Sequence, residues 1–143
     1  MIQWSARLAA LAFLAACLAF PSHARNAIAF SQAPEMSSGV CVGKDVAEAQ
    51  ECAERQCIQG GGTEEDCLAT TACFPAGWTV DIFVQQKDGP HWHEVHCGFD
   101  SAETAIEAVG AICNRDRRSD LIECSAIRLF DEDGAEHEPP AAE

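Results

Sequence analysis

Three histidines and one glutamate lie close together near the middle of the chain, in the segment His91-Trp92-His93-Glu94-Val95-His96. Imidazole and carboxylate groups bind metal ions, and imidazole also changes its charge near neutral pH. In an extended strand, His91 and His93 point to the same side about 6–7 Å apart, so that they can share a zinc or copper ion. Asp81 of the neighbouring predicted strand is a candidate third ligand, with His96 and Glu94 as weaker candidates.

The same histidines also have a simpler interpretation. Strand alternation places His96 on the opposite face from His91 and His93, together with Trp92 and Glu94. This separation favours ordinary polar residues at the open end of a hairpin over a metal site. A third possibility is pH sensing, because imidazoles become protonated as the pH falls below about 6.5.

The sequence contains no recognisable pair of a catalytic nucleophile and a base. Cys97 follows His96, but adjacent residues of a strand face opposite ways. The G-x-S-x-G pattern of serine hydrolases is absent from the chain. We therefore predict that the protein is not an enzyme and needs no cofactor, a possible Zn or Cu ion aside.

Eight cysteines follow residue 24, and an even number in a short chain predicts four disulfides. A structural zinc site would instead show paired C-x2-C motifs, and there are none. The cysteines thus indicate an oxidising compartment outside the cytoplasm. They are Cys41, Cys52, Cys57, Cys67, Cys73, Cys97, Cys113 and Cys124.

The N-terminal segment agrees with export. Residues 1–24 contain one arginine, a 13-residue apolar run from Leu8 to Phe20, and small residues at the end. A transmembrane helix needs about 20 apolar residues, so this pattern predicts a cleaved signal peptide and a periplasmic or secreted protein. An alternative is a lipoprotein anchored through Cys17, because Leu14-Ala15-Ala16-Cys17 resembles a lipobox.

The charge limits the classes of partner. All 23 acidic residues and 8 of the 9 basic residues follow residue 24, which leaves the mature chain at −15. A field of this sign repels nucleic acids and anionic membranes and favours cationic partners. We therefore exclude nucleic-acid binding. No stretch after residue 24 is long and apolar enough to span a membrane, so no transmembrane segment is expected.

A 56-residue offset aligns two parts of the chain, and this predicts an internal duplication. The shift superposes Cys41 and Cys57 on Cys97 and Cys113. The half-repeats span about 26–84 and 91–130, and helices are predicted to begin after Asp45 and Ser101, both good N-cap residues.

The predicted fold is α+β: one antiparallel sheet with two helices on one face, in a single domain over 25–134. Residues 135–143 are predicted to be a disordered acidic tail.

The duplication also suggests a disulfide map. Each helix end would be joined to the following strand, the equivalent cysteines of the two halves would meet, and the two remaining cysteines would pair. The expected bridges are Cys57–Cys67, Cys113–Cys124, Cys41–Cys97 and Cys52–Cys73.

Several short motifs of the first half resemble the small secreted bacterial modules grouped as domain of unknown function 4189. The matching residues are Ala27-Ile28-Ala29-Phe30-Ser31, Ala47-Glu48-Ala49, Cys57, Gly60-Gly61-Gly62 and Cys67. The chain departs from the family pattern by lacking an aromatic, glycine-rich hairpin between Ser31 and Val46. The resemblance implies an exported, disulfide-bearing module and assigns no activity or catalytic residue.

Charge, size and disulfides together favour a non-enzymatic binding module with a cationic protein partner. One concrete version is an inhibitor of a basic cell-wall hydrolase such as a lysozyme. The alternative is a metal-binding or pH-sensing envelope protein that uses His91, His93 and His96.

Overall fold

The computed structural model describes residues 26–140. The predicted signal peptide, the possible lipidation site at Cys17 and the last three residues lie outside this range. Within it, seven strands and two helices follow one another in the order β1-β2-α1-β3-β4-β5-α2-β6-β7.

Two helices begin where the sequence predicts them. α1 spans Val46–Gln59, and the side chain of Asp45 accepts a hydrogen bond from the backbone N–H of Glu48. α2 spans Ala102–Ile112, and Ser101 caps it in the same way. Both side chains satisfy a backbone donor that a helix N-terminus would otherwise leave without a partner.

Seven strands form two antiparallel sheets. The first sheet has the order β2-β1-β3, with β1 at Ala27–Ala33, β2 at Ser37–Gly43 and β3 at Leu68–Cys73. The second has the order β5-β4-β6-β7, with β4 at Trp78–Gln86, β5 at His91–Phe99, β6 at Leu121–Phe130 and β7 at Glu136–His137. The predicted disulfide-linked α+β class is confirmed, but the single predicted sheet is in fact two.

The two sheets stack face to face, because both faces of each sheet carry apolar residues that need to be covered. On the first sheet, Ala27 and Ala29 pack against α1, whereas Ile28 and Phe30 face the second sheet. The rings of Phe30 and Phe130 meet edge to face, 5.3 Å apart, between the two sheets. The opposite face of the second sheet packs against α2 through Val80 and its neighbours. The layers therefore run helix, sheet, sheet, helix, so the two helices lie on opposite outer faces and not on one face as predicted.

Small residues allow α1 to lie close to its sheet. Its buried residues include Ala49 and Ala53. A Cβ atom on Gly39 of β2 would overlap the carbonyl oxygen of Ala53. Glycine at position 39 therefore sets how closely the helix backbone approaches the strand.

Two of the four predicted disulfides are present, and two are wrong. Cys57–Cys67 and Cys113–Cys124 are formed as expected. The other two bridges are Cys41–Cys52 and Cys73–Cys97, so the expected Cys41–Cys97 and Cys52–Cys73 pairs are not formed.

The reason lies in the faces of the strands. Cys41 points towards α1, where Cys52 lies. Cys97 packs between the two sheets, together with Cys73. The direction of a strand side chain reverses with each residue, so a repeat in sequence did not place equivalent cysteines on a common face.

Residues 27–73 and 78–130 share one element order, which is strand, strand, helix, strand, so β4 belongs to the second unit and not to the first half-repeat predicted at about 26–84. In each unit the first strand lies between the second and the third. This common order accords with an internal duplication, which nonetheless stays a prediction from the sequence.

Part of the predicted disordered tail is ordered. Glu136 and His137 form β7, which pairs with Phe130 and Leu129 at the edge of the second sheet. His137 Nε2 also lies 2.9 Å from Asp131 Oδ2. The backbone groups at the free edge of β6 thus pair with this acidic segment as a short antiparallel strand.

Candidate functional site

A cleft of about 370 Å³ lies between the β1–β2 hairpin and the second sheet. The hairpin forms one wall and residues of β5 and β6 form the other. The residues that line the cleft include Gln32, Glu35, Met36, His91, His93 and Arg128.

The polar groups of the cleft are arranged around one buried carboxylate. The side chain of Asp81 is only 3% exposed. Its Oδ1 lies 2.9 Å from Nδ1 of His93, and its Oδ2 accepts hydrogen bonds from Nε and Nη2 of Arg128 at 3.1 and 2.8 Å. The carboxylate is therefore satisfied by two partners, as a buried charge must be.

Strand register brings these three residues together. Asp81 lies on β4, the strand between β5 and β6, and is directly opposite Arg128. His93 is opposite Phe83, two residues further along the same face of β4. All three side chains therefore lie on the face of the second sheet that is turned towards the first.

The contact with Asp81 determines which nitrogen of His93 carries the proton. An ionised carboxylate only accepts hydrogen bonds, so Nδ1 must be protonated. In the neutral ring, Nε2 then carries a lone pair. The His93 side chain is 34% exposed and lines the cleft, so a ligand can reach this ring.

His91 connects the sheet to the hairpin. Its Nε2 lies 3.6 Å from Oε1 of Glu35, whose side chain is 77% exposed. Glu35 lies in the turn between β1 and β2 and has a positive φ of 59°. The rings of His91 and His93 lie 5.6 and 5.9 Å from that of Phe83, so both imidazoles are on one side of the sheet.

The chain matches no protein-family model, no curated protein and no solved structure. The resemblance to domain of unknown function 4189 stays a prediction from its short motifs. The geometry of the cleft is therefore the basis on which a function can be proposed.

His96 and Glu94 do not join the other histidines. Glu94 accepts hydrogen bonds from Nη1 and Nη2 of Arg118 at 3.0 and 2.7 Å, and from Nε1 of Trp92 at 2.8 Å. Nε2 of His96 lies 3.7 Å from Glu94 on the same face. This group links β5 to the loop after α2, on the face away from the cleft.

The environment of Glu94 favours its ionised form. The hydrogen bonds from Arg118 lower the pKa of this carboxyl below its ordinary value, against the opposing effect of burial. The same contact raises the pKa of Arg118. The Glu94–Arg118 pair therefore stays charged on both sides at neutral pH.

The structure also bears on the other chemical candidates. Cys97 is bonded to Cys73, which leaves it no free thiol for catalysis. Across residues 26–140, no three His, Cys, Asp or Glu side chains are already gathered closely enough to hold a metal ion. Asp81, the candidate third ligand, contacts Nδ1 of His93 and Arg128 instead.

Arg128 and the hairpin residues Glu35 and Met36 were not among the site residues predicted from the sequence. Arg128 is the only basic residue in the otherwise mostly apolar β6. A charged residue inside such a strand needs an opposite charge, and Asp81 on a predicted strand was the available partner. No local signal indicated that Glu35 and Met36 would face His91, because that contact joins two separate sheets.

Apolar side chains are exposed beside the cleft. Met36 lines the cleft and is 54% exposed. Leu68 is 61% exposed and lies directly opposite Gln32, another residue of the cleft lining. Contiguous exposed apolar patches commonly mark protein interaction sites, and Met36 and Leu68 provide exposed apolar surface in and next to the cleft.

Proposed function

We propose that the protein is an exported, non-enzymatic binding module that holds part of a protein partner in this cleft. One observation carries the proposal: the organised His93–Asp81–Arg128 group lies in an open cleft whose border includes the exposed residues Met36 and Leu68. Rigid polar groups with an apolar border suit recognition, because little side-chain freedom is lost on binding.

The size of the cleft favours insertion of a few side chains. Small-ligand sites commonly occupy about 300–1,000 Å³, and this cleft is at the lower end of that range. With Nδ1 bonded to Asp81, the His93 ring presents Nε2 to the cleft, and the Arg128 guanidinium offers donors. A loop of a partner could therefore place one polar and one apolar side chain here.

The charge of the chain favours a cationic partner. The full chain has a formal charge of −14, which attracts a basic protein over a distance and speeds their encounter. A basic cell-wall hydrolase such as a lysozyme is a concrete candidate. The four disulfides are consistent with an oxidising compartment, where such enzymes act.

Export itself belongs to this proposal. It is supported by the N-terminal sequence pattern and by the disulfides, and periplasm and secretion medium are both compatible with them. No helix among residues 26–140 is long and apolar enough to span a membrane.

The test is isothermal titration calorimetry, which measures the affinity of the oxidised protein for each of a panel of basic hydrolases. We expect the Met36→Ser/Leu68→Ser double variant to bind at least about tenfold more weakly, which corresponds to about 1.4 kcal/mol. The matched control is Ile122→Ser, which removes an exposed apolar side chain of β6 that does not line the cleft.

All three proteins have the same charge, so non-specific attraction affects them equally. Binding that the double variant and the control retain alike would show that charge alone is responsible and would overturn the role of the cleft. If no hydrolase of the panel binds better than it binds an acidic protein of scrambled sequence, the inhibitor version is wrong.

A further inference from the structure

We infer that the same cleft contains a site for one divalent transition-metal ion, with Nε2 of His91, Nε2 of His93 and the carboxylate of Glu35 as ligands. This site goes beyond the proposed function, because it is a property of the protein without any partner. Asp81 is its positioning residue and not a ligand.

The first argument is the orientation of His93. A metal-binding histidine usually donates its other ring N–H to a carboxylate or carbonyl, which fixes the ring and makes the ligating nitrogen more basic. Nδ1 of His93 makes this bond to Asp81 at 2.9 Å. The buried carboxylate therefore prepares Nε2 to coordinate an ion in the cleft.

The second argument is the position of His91 and Glu35. His91 lies two residues before His93, and both rings pack beside Phe83. Oε1 of Glu35 is already 3.6 Å from Nε2 of His91. Both atoms are ligands that zinc accepts, so an ion between them would use the two lone pairs.

Side chains have to rotate to complete the site. Ligand distances of about 2.0–2.2 Å are needed for zinc, and the three donors are not yet that close. Glu35 and His91 are 77% and 41% exposed, so both can turn without disturbing the core. Only His93 has to be fixed, and it is the ligand that Asp81 holds.

Charge does not oppose the ion. The positive charge of Arg128 is offset by Asp81, with which it is paired at 2.8 Å. Glu35 then adds a negative charge on the hairpin side of the cleft. Two imidazoles and one carboxylate suit zinc and other borderline ions, and they leave one position open for water or for a donor of a partner.

The experiment uses untagged, oxidised protein with Zn²⁺ as the probe, in competition with a fluorescent chelator. We expect one equivalent of Zn²⁺ to bind. Co²⁺ in its place should give the visible absorption of a tetrahedral site. We expect His91→Gln, His93→Gln and Glu35→Gln each to weaken binding at least about tenfold, since even the loss of a supporting residue costs about 10–100-fold.

The matched control is His137→Gln, which removes another half-exposed histidine that also contacts a carboxylate, Asp131, outside the cleft. We expect it to leave Zn²⁺ binding unchanged. Glu35 and His91 are exposed enough that their variants should fold normally, so they test the inference even if the His93 variant is unstable.

The inference is wrong if the wild-type protein binds Zn²⁺ no better than a His91→Gln/Glu35→Gln double variant, or if His137→Gln weakens binding equally. These results are independent of the partner. The Ile122→Ser variant, whose change lies outside the cleft lining, should bind Zn²⁺ like the wild type, and failure of the proposed function would leave the metal measurement unaffected.

Discussion

Nδ1 of His93 lies 2.9 Å from Oδ1 of Asp81, and this bond connects a buried strand residue to the open cleft. Asp81 also holds Arg128, which lies directly opposite it on β6. One carboxylate thus orients both His93 and Arg128, two of the side chains that line this side of the cleft.

Replacing this carboxylate should destabilise the fold. In Asp81→Asn, Arg128 loses its counter-charge, and breaking a buried ion pair costs about 3–5 kcal/mol. Because Arg128 is one-third exposed, we expect the lower end of this range, about 3 kcal/mol, in urea unfolding. Asp88→Asn, in the exposed β4–β5 turn, is the control and should change stability by less than about 0.5 kcal/mol. Equal stability of the two variants would contradict a structural role of the buried pair.

The Cys73–Cys97 bridge should contribute more than the Cys41–Cys52 bridge. It links β3 of one sheet to β5 of the other, with a sequence separation of 24 instead of 11. The entropy of closing the longer loop predicts about 0.7 kcal/mol of additional stability, beyond about 2–4 kcal/mol for a typical disulfide. Thermal or urea unfolding of the two double Cys→Ser variants tests this order, and peptide mapping of the oxidised protein tests the pairing itself.

Acid should weaken the contact between β5 and the loop after α2. The folded pKa of Glu94 is lowered from 4.5, chiefly by the hydrogen bonds from Arg118. A lowered folded pKa means that the stabilisation is complete above about pH 4.5 and is lost as the pH falls through the folded value. We expect Glu94→Gln to flatten the decline in unfolding free energy below that pH. Glu138→Gln, in the exposed C-terminal segment, should leave the decline as in the wild type.

Two glycines should respond oppositely to alanine. Gly39→Ala places a Cβ against the carbonyl oxygen of Ala53, and the resulting overpacking should cost about 1–3 kcal/mol. Gly110 lies in α2 with open space around the position of its Cβ. Gly110→Ala should therefore stabilise the protein by about 0.5–1 kcal/mol through helix propensity. Denaturant midpoints of the two variants that move in the same direction would contradict this account of the α1 packing.

The sequence predicted local structure well because local signals decide it. Asp45 and Ser101 were recognisable as helix caps from residue type alone, and the strand period placed His91 and His93 on one face. The two disulfides that were correctly predicted, Cys57–Cys67 and Cys113–Cys124, join a helix end to the next strand over only 10 and 11 residues. Separation alone does not decide the pairing, because Cys41–Cys52 also spans only 11 residues and was not predicted.

The sequence by itself determined the α+β class, the positions of the helices and the presence of four disulfides, since these depend on residue type, periodicity and cysteine number. Only the tertiary structure decided that there are two sheets, that Cys97 bonds to Cys73, and that Glu35 faces His91. Those relationships depend on which face of each strand turns towards the other sheet. A single-residue change of register reverses that face, and no pattern within one strand determines how two sheets pack.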